Sequence, residues 1–252
     1  MGIKVRTYLT GYEVWRGPSP IDGQPIVAIL VKTRKNPKTG PGWTLYILRR
    51  DIDPIRAIAE GKDKSICGSC IHRLGDRTCY VQFWKAPHGM YQKFKRGGYP
   101  RRTSAWIALL IIDAYVRLGG YGDPGALPLP LLKEIVPLSR TWTGYTHLWK
   151  MISRYYRELL MASVESAKEK TRANAMGYRT FRVGNHVDEM LPDECLCPAS
   201  EAGGFKATCS TCGLCAGTSI TARNVFIPVH GSASGKFTKE IFAEKTGRIS
   251  LV

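Results

Sequence analysis

The chain contains no G-x-x-x-x-G-K-[ST] phosphate loop, no H-E-x-x-H helix and no G-x-S-x-G elbow. That removes the usual sequence warrants for a P-loop nucleotidase, a zincin or a serine hydrolase. Long hydrophobic runs are missing too. The longest, residues 105–112, is too short to span a bilayer and is followed by Asp113. The opening, MGIKVRTYLTGYEVWRG, has no apolar signal core, and Arg6 stands where a myristoylation signal needs Ser or Thr. These absences predict a cytoplasmic protein with no membrane partner. No repeat at the sequence level is evident. Acidic residues are scarce, 20 against 37 Lys and Arg, which leaves a net charge of +17. That excess points to a polyanion such as DNA or RNA; the plainer reading is a solvated surface.

Cysteine, by contrast, is plentiful. A chain of 252 residues builds a core without staples, so its eight cysteines are not needed to hold it together. In a reducing compartment clustered cysteines are more often metal ligands or catalytic thiols than disulfides. Cys209, Cys212 and Cys215 form a C-x2-C-x2-C run in which Gly213 supplies a tight backbone. Ferredoxin-type clusters use this spacing and take a fourth thiolate from a remote cysteine followed by proline. Cys197 precedes Pro198. Cys197, Cys209, Cys212 and Cys215 thus make a complete set for a [4Fe–4S] cluster, with Cys195 spare or alternate and zinc the alternative metal. Cys67, Cys70 and Cys79 are three ligands without a local fourth. Either His72 or Cys195 closes a structural site there, or one iron of a cluster stays open for reaction.

The basic charge thickens in YQKFKRGGYPRR, where Lys93, Lys95, Arg96, Arg101 and Arg102 interleave with Tyr91, Phe94 and Tyr99. Cations neutralise phosphates and aromatics stack on bases, so this stretch is the candidate nucleic-acid contact, weighed against a solvated helix end.

Residues 25–34 and 43–50 read as a β-hairpin about the turn chemistry of KNPKTGPG. A short helix follows, with Asp53 as cap, Pro54 in the first turn and Gly61 as stop. Residues 87–96 and 103–114 read as helices. Beyond them, strand and helix patterns alternate: YVRLGGYGDPG, PLPLLKEIVPLS, TWTGYTH, LWKMISRYYREL (helix), LLMASV, SAKEKTRANAM, YRTFRV and NVFIPVHG. That rhythm predicts an α/β fold with a parallel sheet. The expected plan is one domain over 1–231 and a basic tail over 232–252. Within the domain, 26–66 hold the hairpin and helix, 67–79 the first cysteine loop, 115–183 the βα units and 195–215 the second metal segment. Reactive groups collect where parallel strands finish. Here the strand ends carry Asp123, Thr146 and His147, Ser163 and Glu165, Arg182 and Asn185, and His230. Of these, Asp123, His147 and Ser163 are the candidate catalytic residues, and Gly120, Gly122, Asp123, Ser163 and Arg182 the candidate cofactor contacts. The bland reading of Asp123 is a turn residue that caps the next helix.

The blocks CGSCIHR…RTCYV, RLGGYGDPGALP, TGYTHLW, MASVES, GYRTFRV and CPASEAGGFKATCSTCGLCAG resemble, in the same order over residues 26–231, an uncharacterised group of phage and plasmid proteins. The last block is the most specific. In plan the chain is also similar to radical S-adenosylmethionine enzymes: an early cysteine triad ending in CY, short βα units, then a cysteine-rich C-terminal segment. That similarity implies a partial (βα) barrel of TIM-barrel-like kind, with a reactive [4Fe–4S] cluster on Cys67, Cys70 and Cys79 whose open iron binds S-adenosylmethionine. It also implies an auxiliary cluster near the C-terminus, GGYGDP gripping the methionine part and Ser163 meeting the ribose. The triad departs from the family's C-x3-C-x2-C, being C-x2-C-x8-C, and the acidic member of the glycine motif is absent unless Asp123 serves. Two functions follow as expectations. One is an iron–sulfur enzyme acting on nucleic acid or a nucleotide; the other is a basic nucleic-acid-binding protein with structural metal sites. Protein partners are left open by the sequence.

Overall fold

A computed structural model of the protein describes residues 11–73, 78–230 and 234–237. The first ten residues and most of the expected basic tail lie outside them. The structure is mixed α/β. Nine strands form one sheet in the order β1-β2-β3-β4-β5-β6-β7-β9-β8. β1 (Gly11–Pro18), β2 (Pro25–Thr33) and β3 (Gly42–Arg49) are antiparallel neighbours. From β3 onward every pairing is parallel, through β4 (Tyr115–Tyr121), β5 (Thr141–Thr146), β6 (Met161–Val164), β7 (Thr180–Gly184), β9 (Asn224–Pro228) and β8 (Glu194–Leu196). Among the described residues no helix is long and apolar enough to cross a membrane.

Local chemistry explains most elements. β2 lies between two partners, and residues 26–31 are all buried, so its sequence is a continuous apolar run rather than an alternating one. α1 (Pro54–Ala59) starts at Asp53, whose carboxylate accepts the Ile55 N–H at 2.8 Å. The four-residue α2 (Lys64–Cys67) then delivers Cys67. α3 (Ala86–Lys95) and α4 (Ser104–Leu110) cover the antiparallel part, and α5 (Leu129–Ile135) packs against α4. α6 (Ala167–Ala175) is capped by Ser166 and gives way to Gly177, whose φ is +81°. α7 (Cys209–Cys212) is one turn inside the second cysteine segment.

Three expectations are corrected. LWKMISRYYREL is not one helix but two 3-10 turns, Leu148–Lys150 and Arg154–Glu158. Ser153 is extended, and its hydroxyl accepts the Tyr155 N–H, so the helix is restarted there. β1 and β8 were not anticipated as strands. β1 covers the outer edge of the hairpin, and β8 is three residues inside a stretch dominated by cysteine spacing. Arg182 does not reach the strand-end site. Its guanidinium makes a two-pronged ion pair with Glu194 at 2.7 and 2.6 Å, both side chains almost fully buried, and lies over the Phe226 ring.

Breaking one side of a buried pair strands a charge, whereas replacing both partners with apolar groups need not. Arg182→Met is expected to lower the unfolding free energy by about 3–5 kcal/mol in urea denaturation, with Arg182→Met/Glu194→Met recovering much of it.

Candidate metal and cofactor site

The parallel strands present one face to a cavity of about 380 Å³. Alternate residues supply that wall, as the two-residue strand period demands: Tyr115 and Arg117 on β4, Thr143 and Tyr145 on β5, Ser163 on β6, Phe181 and Val183 on β7. Both cysteine sets reach it. Cys67, Cys70 and Cys79 line it from the loop after β3, Cys197 and Cys209 from the C-terminal segment.

The first set is gathered by its own backbone. Cys67 ends α2, the Cys70 N–H donates to the Cys67 carbonyl at 3.1 Å, and the Cys79 N–H donates to the His72 carbonyl at 3.1 Å. Residues 74–77 of this loop lie outside the described residues. Burial pushes the Cys67 thiol well above its ordinary pKa, and Cys70, Asp63 and Cys79 add to it.

The second set is pinned from several directions. The Cys197 N–H donates to Phe226 on β9, and Cys209 N–H to Lys38 in the β2–β3 turn. The Cys215 carbonyl accepts the Gly144 N–H of β5. Gly213 has φ +68°, the left-handed turn that the C-x2-C-x2-C spacing requires. Burial raises the Cys197, Cys209 and Cys215 thiols, and each feels its neighbours in the set. Cys195, on β8, senses Cys212 and is offset by Arg223 and Arg179. None of the eight cysteines is in a disulfide. Neither set draws three sulfurs within 4.8 Å of one another among the described residues. Zinc, with Zn–S near 2.3 Å, would hold thiolates roughly 3.8 Å apart, while a cubane spreads them over separate irons.

The strand ends converge between these sets. Asp123 Oδ1 accepts the Gly125 N–H at 2.8 Å, Oδ2 accepts the His147 N–H at 2.7 Å, and the Asp123 N–H donates to the Ile66 carbonyl at 2.7 Å. The carboxylate therefore caps and ties, which is the bland reading of this residue, although it also faces the cavity. Burial raises its pKa, against the pull of His147, Thr146 and two backbone N–H groups. Gly120 is required by contact: a Cβ there would fall 2.5 Å from Thr44 Cγ2. Gly122 has φ +77°. Both line the cavity, as does Ser163. His147 Nε2 meets Glu165 Oε1 at 3.0 Å. Burial lowers its pKa, yet Cys70 and Glu165 hold it well above the usual imidazole value. Thr146 accepts the Leu148 N–H, and Asn185 donates from its backbone to Glu189. His230 joins the wall beside Lys38, Nζ to Nε2 at 2.6 Å.

The basic stretch divides differently from expectation. Tyr91 and Tyr99 are buried in the core under α3, so they cannot stack on bases. Lys93 lies over the Tyr99 ring, Arg101 is 3.7 Å from Glu13, and Arg102 lies over Tyr12 and Trp106. Lys95, Arg96, Arg101 and Arg102 remain exposed.

Sequence reasoning did not single out Lys38 and Arg117. Arg117 lies inside an apolar-looking strand and donates to the Tyr80 hydroxyl at 2.6 Å. Its charge also acts on the Cys209 thiol. The signal available was an arginine interrupting YVRLGGY at an inward-facing position of the strand period. Phe237, in the expected tail, is buried and stacks on His72 at 5.5 Å. Comparison of the chain with protein-family models, curated proteins and solved structures finds no match.

Burial raises the Cys67, Cys197 and Cys215 thiols, so a metal bound through them would expel protons. Anaerobic reconstitution is expected to be more complete at about pH 8.5 than at about pH 6.5, with proton release seen in weak buffer. Loading independent of pH would contradict thiolate ligation.

Proposed function

We propose that the protein is an iron–sulfur enzyme of radical S-adenosylmethionine-like type, of phage or plasmid origin, acting on nucleic acid or a nucleotide. The observation that carries this reading is the one cavity whose wall takes thiols from both cysteine sets. Its volume falls in the usual range of ligand sites. The topology supports it. The triad follows β3, the first of five parallel strands that adjoin in chain order, and the glycine-rich end of β4 comes next. That order suits a partial (βα) barrel with its site at the carboxyl ends of the strands.

On this reading Cys67, Cys70 and Cys79 hold a [4Fe–4S] cluster with one iron left for the cofactor. Cys197, Cys209, Cys212 and Cys215 hold a second, closed cluster. S-adenosylmethionine bound to such a cluster supplies reductive radical chemistry, and the protein supplies position and electrostatics. Gly120 and Gly122 let the end of β4 pack closely on β3, and both line the cavity together with Ser163. Arg117 and Lys38 attract anionic groups, either a phosphate of the substrate or the second cluster itself. The mobile-element origin rests on the sequence blocks alone.

The exposed Lys95, Arg96, Arg101 and Arg102 favour a second reading, a nucleic-acid-binding protein whose metal sites are structural and contribute folding free energy.

Protein purified without oxygen is expected to carry about eight iron and eight sulfide per chain, with one cluster's spectrum altered by S-adenosylmethionine. Cys79→Ala should keep the fold and the second cluster but lose that response. Stoichiometric zinc without iron would overturn the enzyme reading. DNA affinity should fall steeply with salt, since phosphate contacts release counterions. A flat response would remove nucleic acid as partner.

A further inference from the structure

Apart from the thiols, the described residues bring together one more set of metal-type donors. His72 Nε2 and His147 Nε2 lie 3.1 and 3.0 Å from the same oxygen, Glu165 Oε1. The three ligand atoms all lie within 4.8 Å of one another. They come from three segments: the first cysteine loop, the end of β5, and the residue after β6. We propose that His72, His147 and Glu165 form a mononuclear site for a divalent transition ion of the zinc or ferrous class, beside the first cysteine set, whose Cys70 side chain meets His147.

The geometry suits an ion. Metal–nitrogen and metal–oxygen bonds of about 2.0–2.2 Å put neighbouring donors roughly 3.0 Å apart at right angles and 3.4 Å apart in a tetrahedron. The surroundings orient the ligands as metal sites do. His72 Nδ1 is 2.7 Å from the hydroxyl of buried Thr78, which turns Nε2 toward the carboxylate. The His147 backbone is fixed by Asp123 and the Glu165 backbone by Glu169 at 3.2 Å. Side-chain exposures of 13, 23 and 6 % make the set largely dry. Two imidazoles and one carboxylate leave coordination positions open. His72 and His147 face the cavity, so those positions would meet a substrate oxygen there, where an ion acts as a Lewis acid. The inference does not rest on the cluster reading, because nitrogen and oxygen donors form this site and sulfur the others.

The competing account is a hydrogen-bond network in which Glu165 accepts from both rings. Glu165→Gln separates the two, since glutamine keeps the acceptor oxygen and the shape but removes the anionic ligand. The full chain, purified without oxygen and assayed for iron and sulfide, is titrated with Co²⁺. Expected is one Co²⁺ per chain with weak visible bands and no thiolate charge transfer. Glu165→Gln and His72→Asn should each weaken it by more than about 100-fold, and Thr78→Val by about 10-fold, with sulfide content unchanged. Cobalt bound only through thiolate, or Glu165→Gln and His72→Asn binding cobalt as tightly as the unaltered chain, would overturn the site. If Glu165→Gln does not fold, His72→Asn decides alone. Cobalt binding without iron or sulfide would overturn the cluster reading and leave this site standing; two clusters with no cobalt site would do the reverse.

Discussion

The buried carboxylate of Asp123 is the tie on which the cavity depends. Through two oxygens and one N–H it joins the turn after β4, the start of the segment after β5 and the cysteine-bearing α2. A carboxylate taken out of water is costly unless donors satisfy it, and here backbone N–H groups do. The carboxylate fixes the turn after β4 to the segment that begins at His147, and the backbone N–H of the same residue separately ties α2, and with it Cys67, to that turn.

Charge around the cavity is sorted. His147 and Glu165 sit with the first cysteine set, and the Cys70 thiol and the Glu165 carboxylate both stabilise the imidazolium against burial. Lys38 and Arg117 sit with the second, where both favour ionisation of Cys209. Burial lowers the Lys38 pKa, and the Cys197 and Cys209 thiols oppose that. A four-thiolate cluster carries net negative charge, so on the proposed reading these two cations offset it.

Much of this was legible in the sequence. Hairpin, caps, glycine stops and the βα rhythm are local signals, and the elements they specify are present, apart from the helix over LWKMISRYYREL, because burial and capping agree with propensity. The misses are of another kind. Tyr91 and Tyr99 look like base-stacking residues in a basic stretch, but whether an aromatic faces solvent depends on what α3 packs against. Arg182 looks like a strand-end ligand until Glu194, from a short strand on the far side of β9, takes it. Arg117 and Lys38 have no motif. They matter only because the sheet face and the β2–β3 turn meet the second cysteine segment, a long-range contact that no spacing rule contains.

The two cysteine sets differ in how they are held, and this bears on what each does. Cys197, Cys209 and Cys215 are hydrogen-bonded through the backbone to β9, the β2–β3 turn and β5 respectively. Closing four thiolates on one centre there would cross-link three distant parts of the sheet, which is what a stabilising site does. Cys67, Cys70 and Cys79 are held by one loop and bonded chiefly within it. On the proposed reading a centre bound there would tie little else together, and its place beside His147, at the glycine-rich strand end and the cavity, would suit meeting a ligand more than holding the fold.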